Sequence, residues 1–254
     1  MIIAIMNQKG GVGKTTTAVN LAVALKRNYD NVLLIDIDPQ ANASIHLGIR
    51  ETADNSMAAV MSGEKNIKDI IKIADSNLEV APANIALAGV ELQIVNEVGR
   101  EMILKDIVKD LYHDIIIIDC PPSLGLLSIN ALVAADKIIV PVLTEYFAME
   151  GLSDFLKTVS MVKKKLNGKL EILGYLATGY ANTSISKDIL QNLHKHFDNQ
   201  VFKTIIRVNT SLKEAPGTGK SIFYYKKNCR GYEDYEKLGE EVSQIIKSRN
   251  REIL

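Results

Sequence analysis

Three short apolar runs along the chain each stop at residues suited to chemistry. Residues 2–6 (Ile-Ile-Ala-Ile-Met) run into a glycine-rich turn, residues 31–35 end in Asp36 and Asp38, and four isoleucines at 115–118 end in Asp119. Apolar residues that continue rather than alternate suit parallel strands buried on both faces. Residues 137–142 and 170–176 share this character, and 78–82 form a shorter run. Helical patterns separate them: 18–25, an apolar repeat at Met102, Ile103, Ile107, Val108 and Leu111, the stretch up to Leu132, a helix from about residue 147 to 166, and a last one over 232–246. Alternating strands and helices predict a mostly parallel central sheet flanked by helices, a single doubly wound α/β domain over residues 1–254. Residues 41–76 break the rhythm: Gly48 and Gly63 punctuate short helical patterns, and no chemistry is readable there.

At 254 residues the chain has room for two small domains, but α/β folds of this length commonly stay whole. Hydrophobic residues at 47 % supply a full core. No stretch reaches the roughly twenty apolar residues of a membrane span, so no membrane association is expected. Thirty basic and thirty acidic residues cancel, so any nucleic-acid face must be local. Two cysteines, Cys120 and Cys229, without a positively charged apolar leader, fit reduced thiols in a cytoplasmic protein. A first strand that starts at residue 2 leaves no place ahead of it for a DNA-reading helix-turn-helix domain.

The glycine turn changes the picture most. Lys9-Gly10-Gly11-Val12-Gly13-Lys14-Thr15-Thr16-Thr17 lies between a strand and a helix. Its glycines let backbone N–H groups close around an anion, and the helix start at Lys14 aims its positive dipole end at the same point. Lys14 can reach β/γ-phosphates and the Thr15 hydroxyl can hold Mg²⁺. The common phosphate-loop pattern would place a glycine at Gln8; a second lysine, Lys9, takes over instead. The uninterrupted Lys-Gly-Gly-x-Gly-Lys-Thr-Thr resembles the ParA/MinD superfamily of deviant Walker-A P-loop ATPases, and over nearly its whole length the chain resembles the ParA/Soj partition ATPases.

That resemblance implies ATP and Mg²⁺ as cofactors, nucleotide binding by Lys9, Gly10, Gly11, Val12, Gly13, Lys14, Thr15 and Thr16, and an ATP-bound homodimer in which Lys9 reaches the partner's nucleotide. It implies that Asp38 positions the attacking water, that Asp36 supports the metal's water shell, and that Asp119 is the Walker-B acid; the metal set is then Thr15, Asp36, Asp38 and Asp119. Asn209 and Pro216 keep family identities near the adenine. Residues 82–89 and 145–152 resemble stretches beside the dimer face. The family's activator is a ParB-like, centromere-bound protein, its ATP dimer binds DNA without sequence preference, and such a switch is slow unless its partner completes the site.

Two places depart from the family. Thr183 stands where a DNA-contacting arginine aligns, and in residues 207–216 Val208 and Ser211 occupy two more arginine positions. Lys187, Arg207, Lys213, Lys220, Lys226, Lys227 and Arg230 could form a substitute basic face, and equally could be the solvated surface of a neutral protein. Membrane-bound MinD relatives end in an amphipathic helix; here Val242, Ile245, Ile246, Arg249 and Ile253 make a stripe that Glu240, Glu241 and Glu252 dilute, so docking on the domain is expected. A metabolic ATP-dependent enzyme would need a second group of acids and bases, and none is readable. The expected function is an ATP-driven partition switch; its alternatives are a relative that positions another cargo or a MinD-like membrane switch.

Overall fold

The computed structural model describes residues 1–146 and 151–251. Strands β1 (Ile2–Ile5), β2 (Val32–Asp36), β3 (Lys72–Ile73), β4 (Glu79–Ala81), β5 (Ile115–Asp119), β6 (Lys137–Leu143) and β7 (Glu171–Thr178) form one sheet in the order β3-β4-β2-β5-β1-β6-β7. Every neighbouring pair is parallel except β3 with β4 at one edge. At two residues, β3 is too short to leave a periodic signal, and the sequence pattern does not reveal it.

The helices are α1 (Lys14–Leu25), α2 (Asn42–His46), α3 (Met57–Met61), α4 (Leu87–Gln93), α5 (Ile103–Val108), α6 (Leu126–Ala134), α7 (Leu152–Lys165), α8 (Ser184–Phe197), α9 (Thr210–Glu214), α10 (Ile222–Tyr225) and α11 (Arg230–Arg251). Strand residues alternate between two cores. Ile3, Ile5, Val32, Leu34, Ile115 and Ile117 pack with α1, α10 and α11, while Ala4, Leu33, Ile35, Ile116 and Ile118 pack with α3 to α8 on the opposite face. This two-sided burial is why the runs are continuously apolar. Residues 147–150, the start of the expected helix 147–166 and part of the stretch 145–152, lie outside the described residues, as does Ile253.

Helix α1 lacks the usual polar face, because Thr17 through Leu25 are all buried between the sheet and α11. Helix α11 meets it with Tyr235, Leu238, Val242 and Ile246, spaced at helical intervals and all buried. Gly239 allows the close crossing, since a Cβ there would lie 2.6 Å from the Cβ of Ala24. The Tyr235 hydroxyl and Thr17 Oγ1 are 3.1 Å apart, which pairs two polar groups inside this contact. The apolar stripe of α11 is thus used within the domain, as its diluted charge suggests.

Candidate nucleotide and magnesium site

The register places three strand ends together. Ile5 of β1 pairs with Asp119 of β5, and Asp119 pairs on its other side with Asp36 of β2. The glycine turn, Asp119 and the Asp36–Asp38 turn therefore emerge side by side at the carboxyl edge of the sheet, where open α/β folds bind ligands.

Gly11 and Gly13 have φ of 73° and 85°, backbone that glycine adopts without strain. Helix α1 starts at Lys14 with no side-chain cap and no acidic residue in its first turn, which leaves its N-terminal N–H groups available to an anion. The turn is held from below: Thr178 Oγ1 at the end of β7 donates to Val12 O at 2.8 Å. Lys9 N–H donates to Asn7 Oδ1 at 3.0 Å, and the Asn7 amide donates to Pro141 O at 2.7 Å. Lys14 folds over the loop and its Nζ donates to Lys9 O at 3.0 Å. Burial pulls its ammonium below the ordinary lysine value, while Asp119, Cys120 and Asp38 work in the other direction.

Asp119 is fully buried, and neither carboxylate oxygen has a hydrogen-bond partner among the described residues. Burial, then the charge of Asp36, lift its proton affinity well above the carboxylate range; Thr15 and Lys14 oppose the rise. Asp36 is also fully buried and is pushed up to about 6 by burial, although Ser44 and the Asp38 N–H favour its ionised form. Its Oδ1 accepts from Asp38 N at 3.1 Å, and its Oδ2 accepts from the N and Oγ of Ser44 at 2.9 and 2.8 Å. Asp36 is therefore largely engaged in holding its own turn. Asp38 is buried, and its Oδ1 caps Gln40 N at 2.9 Å.

An unpaired buried carboxylate beside a threonine hydroxyl and a lysine is a costly arrangement unless a cation or its hydration shell completes it. Among the described residues, no three His, Cys, Asp or Glu side chains form a metal cluster of their own. Mg²⁺ is commonly bound through one or two protein groups together with phosphate and water, and Thr15 and Asp119 are groups of that kind. Cys120, buried next to Asp119, has its thiol pushed well up, chiefly by burial.

A cavity of about 290 Å³ opens beside the turn, lined by Gly11, Gly13, Thr16, Gly179, Asn209 and Leu212 among others. Asn209 reaches it from the start of α9, where its Oδ1 caps Leu212 N at 3.3 Å. Pro216 does not line it; this residue lies half-buried in the short 3-10 turn Ala215–Thr218.

The cations of the 187–230 region are not one set. Arg207 is committed: its Nε and Nη2 donate to Asp234 at 2.6–3.1 Å and Nη2 to Glu233 at 3.0 Å. The Asp234 hydrogen bond leads in raising its pKa, and its charge is balanced within the domain. Lys213 and Arg230 are exposed and border cavities that Arg207 also lines. Lys220 stands near Asp75, whose acidity it favours. Lys187, Lys226 and Lys227 are exposed. The family's arginine positions have local duties here: Thr183 Oγ1 caps α8 by accepting from Ser186 N at 3.2 Å, Ser211 is buried, and Val208 is exposed.

A family model described as an AAA domain matches residues 1–172. The sporulation initiation inhibitor protein Soj of Bacillus subtilis is 48 % identical over 248 residues, which cover 95 % of this chain and 98 % of that protein. The chromosome partitioning protein ParA of Myxococcus xanthus is 42 % identical, covering 95 % and 87 %. Among solved structures, cobyrinic acid a,c-diamide synthase from Mycobacterium smegmatis with bound ADP and magnesium aligns with a TM-score of 0.85 at 33 % identity, over 97 % of this chain and 95 % of that one.

Proposed function

The chain belongs to the Soj/ParA family of ATPases, and on that premise we propose that it is a partition switch whose two states are set by bound nucleotide. It hydrolyses ATP with Mg²⁺. The observation that carries the assignment of roles is Asp119, a fully buried carboxylate without partners, placed between Lys14, Thr15 and Asp36 at the mouth of the glycine turn.

Lys14 releases the Lys9 carbonyl and takes the β/γ-phosphates, whose charge restores the cation's environment. The backbone N–H groups of residues 10–16 surround the same phosphates. Thr15 and Asp119, with Asp38 as a further carboxylate of the set, would hold a Mg²⁺ ion, which would supply neutralisation of the charge on the transferring phosphate. Asp38, fixed by its backbone bond to Asp36, orients the attacking water through its remaining oxygen. Lys9 acts across a dimer on the partner's phosphates. In the ATP state the dimer binds DNA without sequence preference through exposed cations such as Lys213 and Arg230, and a ParB-like protein accelerates hydrolysis. The protein is cytoplasmic, gathered on the nucleoid while DNA-bound. Covering of the α11 apolar face by α1 favours this over a MinD-like attachment to membranes.

DNA binding by the full chain, compared in ATP and ADP at low and moderate salt, tests the switch. Salt-sensitive binding with ATP alone, absent in Lys14→Ala, is the expected result. An ATP-induced dimer that ignores DNA at both salts would keep the nucleotide switch and overturn the nucleoid role.

A further inference from the structure

Ser44 lies within residues 41–76, the stretch whose sequence carries no readable chemistry, yet its side chain is buried and joins the nucleotide site to the neighbouring strand. Its Oγ donates to Asp36 Oδ2 at 2.8 Å and accepts from Ala83 N at 2.9 Å, while its own N–H donates to the same Oδ2 at 2.9 Å. The other oxygen of Asp36 accepts from Asp38 N at 3.1 Å. Ala83 directly follows Pro82, whose carbonyl accepts from Met57 N at 2.7 Å, so this end of the relay is tied into α3. Asp36, Ser44 and Ala83 are all buried, and water has no access to replace a lost partner.

We infer that Ser44 is a positioning residue for ATP hydrolysis, acting through Asp36 to fix the turn that presents Asp38. The inference deepens the reading of Asp38 as the group that orients water, and rests on it. A hydroxyl is suited to the place because it donates to a carboxylate and accepts from an amide at once. Alanine does neither and leaves the Ala83 N–H unpaired in the interior. The 38–41 turn also contains Ala41 at φ 53°, a conformation that a non-glycine residue keeps only when its surroundings hold it. Phosphate is gripped elsewhere, by the glycine turn after β1, two strands away from β2. Loosening the Asp38 turn should thus slow the chemical step and leave nucleotide affinity intact.

The test is steady-state hydrolysis by the full chain with ATP and Mg²⁺, alongside titration with a fluorescent ATP analogue, for Ser44→Ala, Ser44→Thr, Ser44→Cys and Asp38→Ala. Ser44→Ala is expected to lower kcat by about tenfold or more, as loss of an outer-shell partner does, with analogue affinity within about twofold of the parent. Ser44→Thr, which keeps the hydroxyl, should recover most of the rate, and Ser44→Cys, a weak donor and acceptor of nearly the same size, should fall between. Parental turnover in Ser44→Ala, or affinity lost in step with kcat, or a threonine variant no better than alanine, overturns the inference. If Ser44→Ala does not fold, parental turnover in Ser44→Cys overturns it equally. Asp38→Ala separates the two levels. Hydrolysis that survives in Asp38→Ala sinks the reading of Asp38 itself, whereas an inactive Asp38→Ala beside a normal Ser44→Ala sinks only the role of Ser44.

Discussion

The carboxyl edge of the sheet and the basic 207–230 segment both carry charged side chains, but they hold them differently. At the sheet edge, Asp36, Asp38, Asp119 and Lys14 are buried, and strand register fixes their places. In the 207–230 segment Lys213, Lys226, Lys227 and Arg230 are exposed, and Arg207 is neutralised by its ion pairs with Glu233 and Asp234. Buried charge in a fixed geometry makes a specific site; exposed charge makes a field that depends on number more than on place. A single substitution should therefore silence the first region and only weaken the second.

The largest effect expected is on hydrolysis. Lys14→Ala should lower ATP turnover by on the order of 10²-fold or more, the usual loss when one fixed donor to a charged transition state is removed. Lys226→Ala, at an exposed position that does not line the cavity beside the glycine turn, should leave basal turnover within about twofold of the parent, as exposed rim charges do. Similar losses in both, measured by phosphate release, would break the contrast.

Arg207 sharpens it from the other side. Removing this guanidinium takes the cationic partner from Asp234, which is 3 % exposed and keeps the backbone N–H of residue 207 at 2.9 Å, so Arg207→Ala should lower stability by about 2 kcal/mol in urea unfolding, a figure kept below the loss for a fully buried pair because Arg207 is partly solvated. A variant as stable as the parent but defective in DNA binding would move Arg207 back into the basic face.

Proton linkage gives a smaller effect. Asp36 titrates near 6 and Asp119 is raised well above the ordinary carboxylate range. Both folded-state values are raised, so the stability these groups contribute is fully present below the unfolded carboxylate value, about 4, and is lost as pH climbs through 6. In EDTA without nucleotide, the parent should gain about 3 °C in melting temperature between pH 8 and pH 5 relative to Asp119→Asn. An identical pH profile for the two proteins would mean that Asp119 finds a partner in solution.

The smallest effects belong to the exposed cations. Lys213→Ala and Arg230→Ala should each weaken ATP-dependent DNA binding modestly and reduce the slope of log affinity against log salt by about 1, uniformly across DNA sequences. A preference for one sequence, lost in either variant, would contradict a purely electrostatic face.

The two regions also differ in how far the sequence discloses them. Lys9–Thr17, Asp36 and Asp119 are legible as one cluster because a strand, its terminal residue and the next turn are contiguous in sequence, and the register brings the three strand ends side by side. Ser44 is not legible, since its meaning arises only from Asp36 at the end of β2 and Ala83 just beyond the end of β4. Arg207 reads as a free cation until folding brings Asp234, 27 residues away, against it. Thr183 reads as a missing arginine until α8 is seen to start on its hydroxyl. The mostly parallel sheet and its two-sided burial followed from the apolar runs; the strand order did not, because pairing is not local in sequence, nor did the antiparallel edge, because two residues hold too little pattern.

The α1–α11 contact also has a consequence for synthesis. The helix that carries Lys14 leaves the ribosome early, yet its outer face is covered by residues 235–246, about two hundred positions later. At typical translation rates of about 5–20 residues per second, α1 waits on the order of ten to forty seconds with a mostly apolar face uncovered. The nascent chain thus holds this apolar helix next to its nucleotide loop until α11 arrives, and a ribosome stalled before Tyr235 would display an α1 that a chaperone can bind.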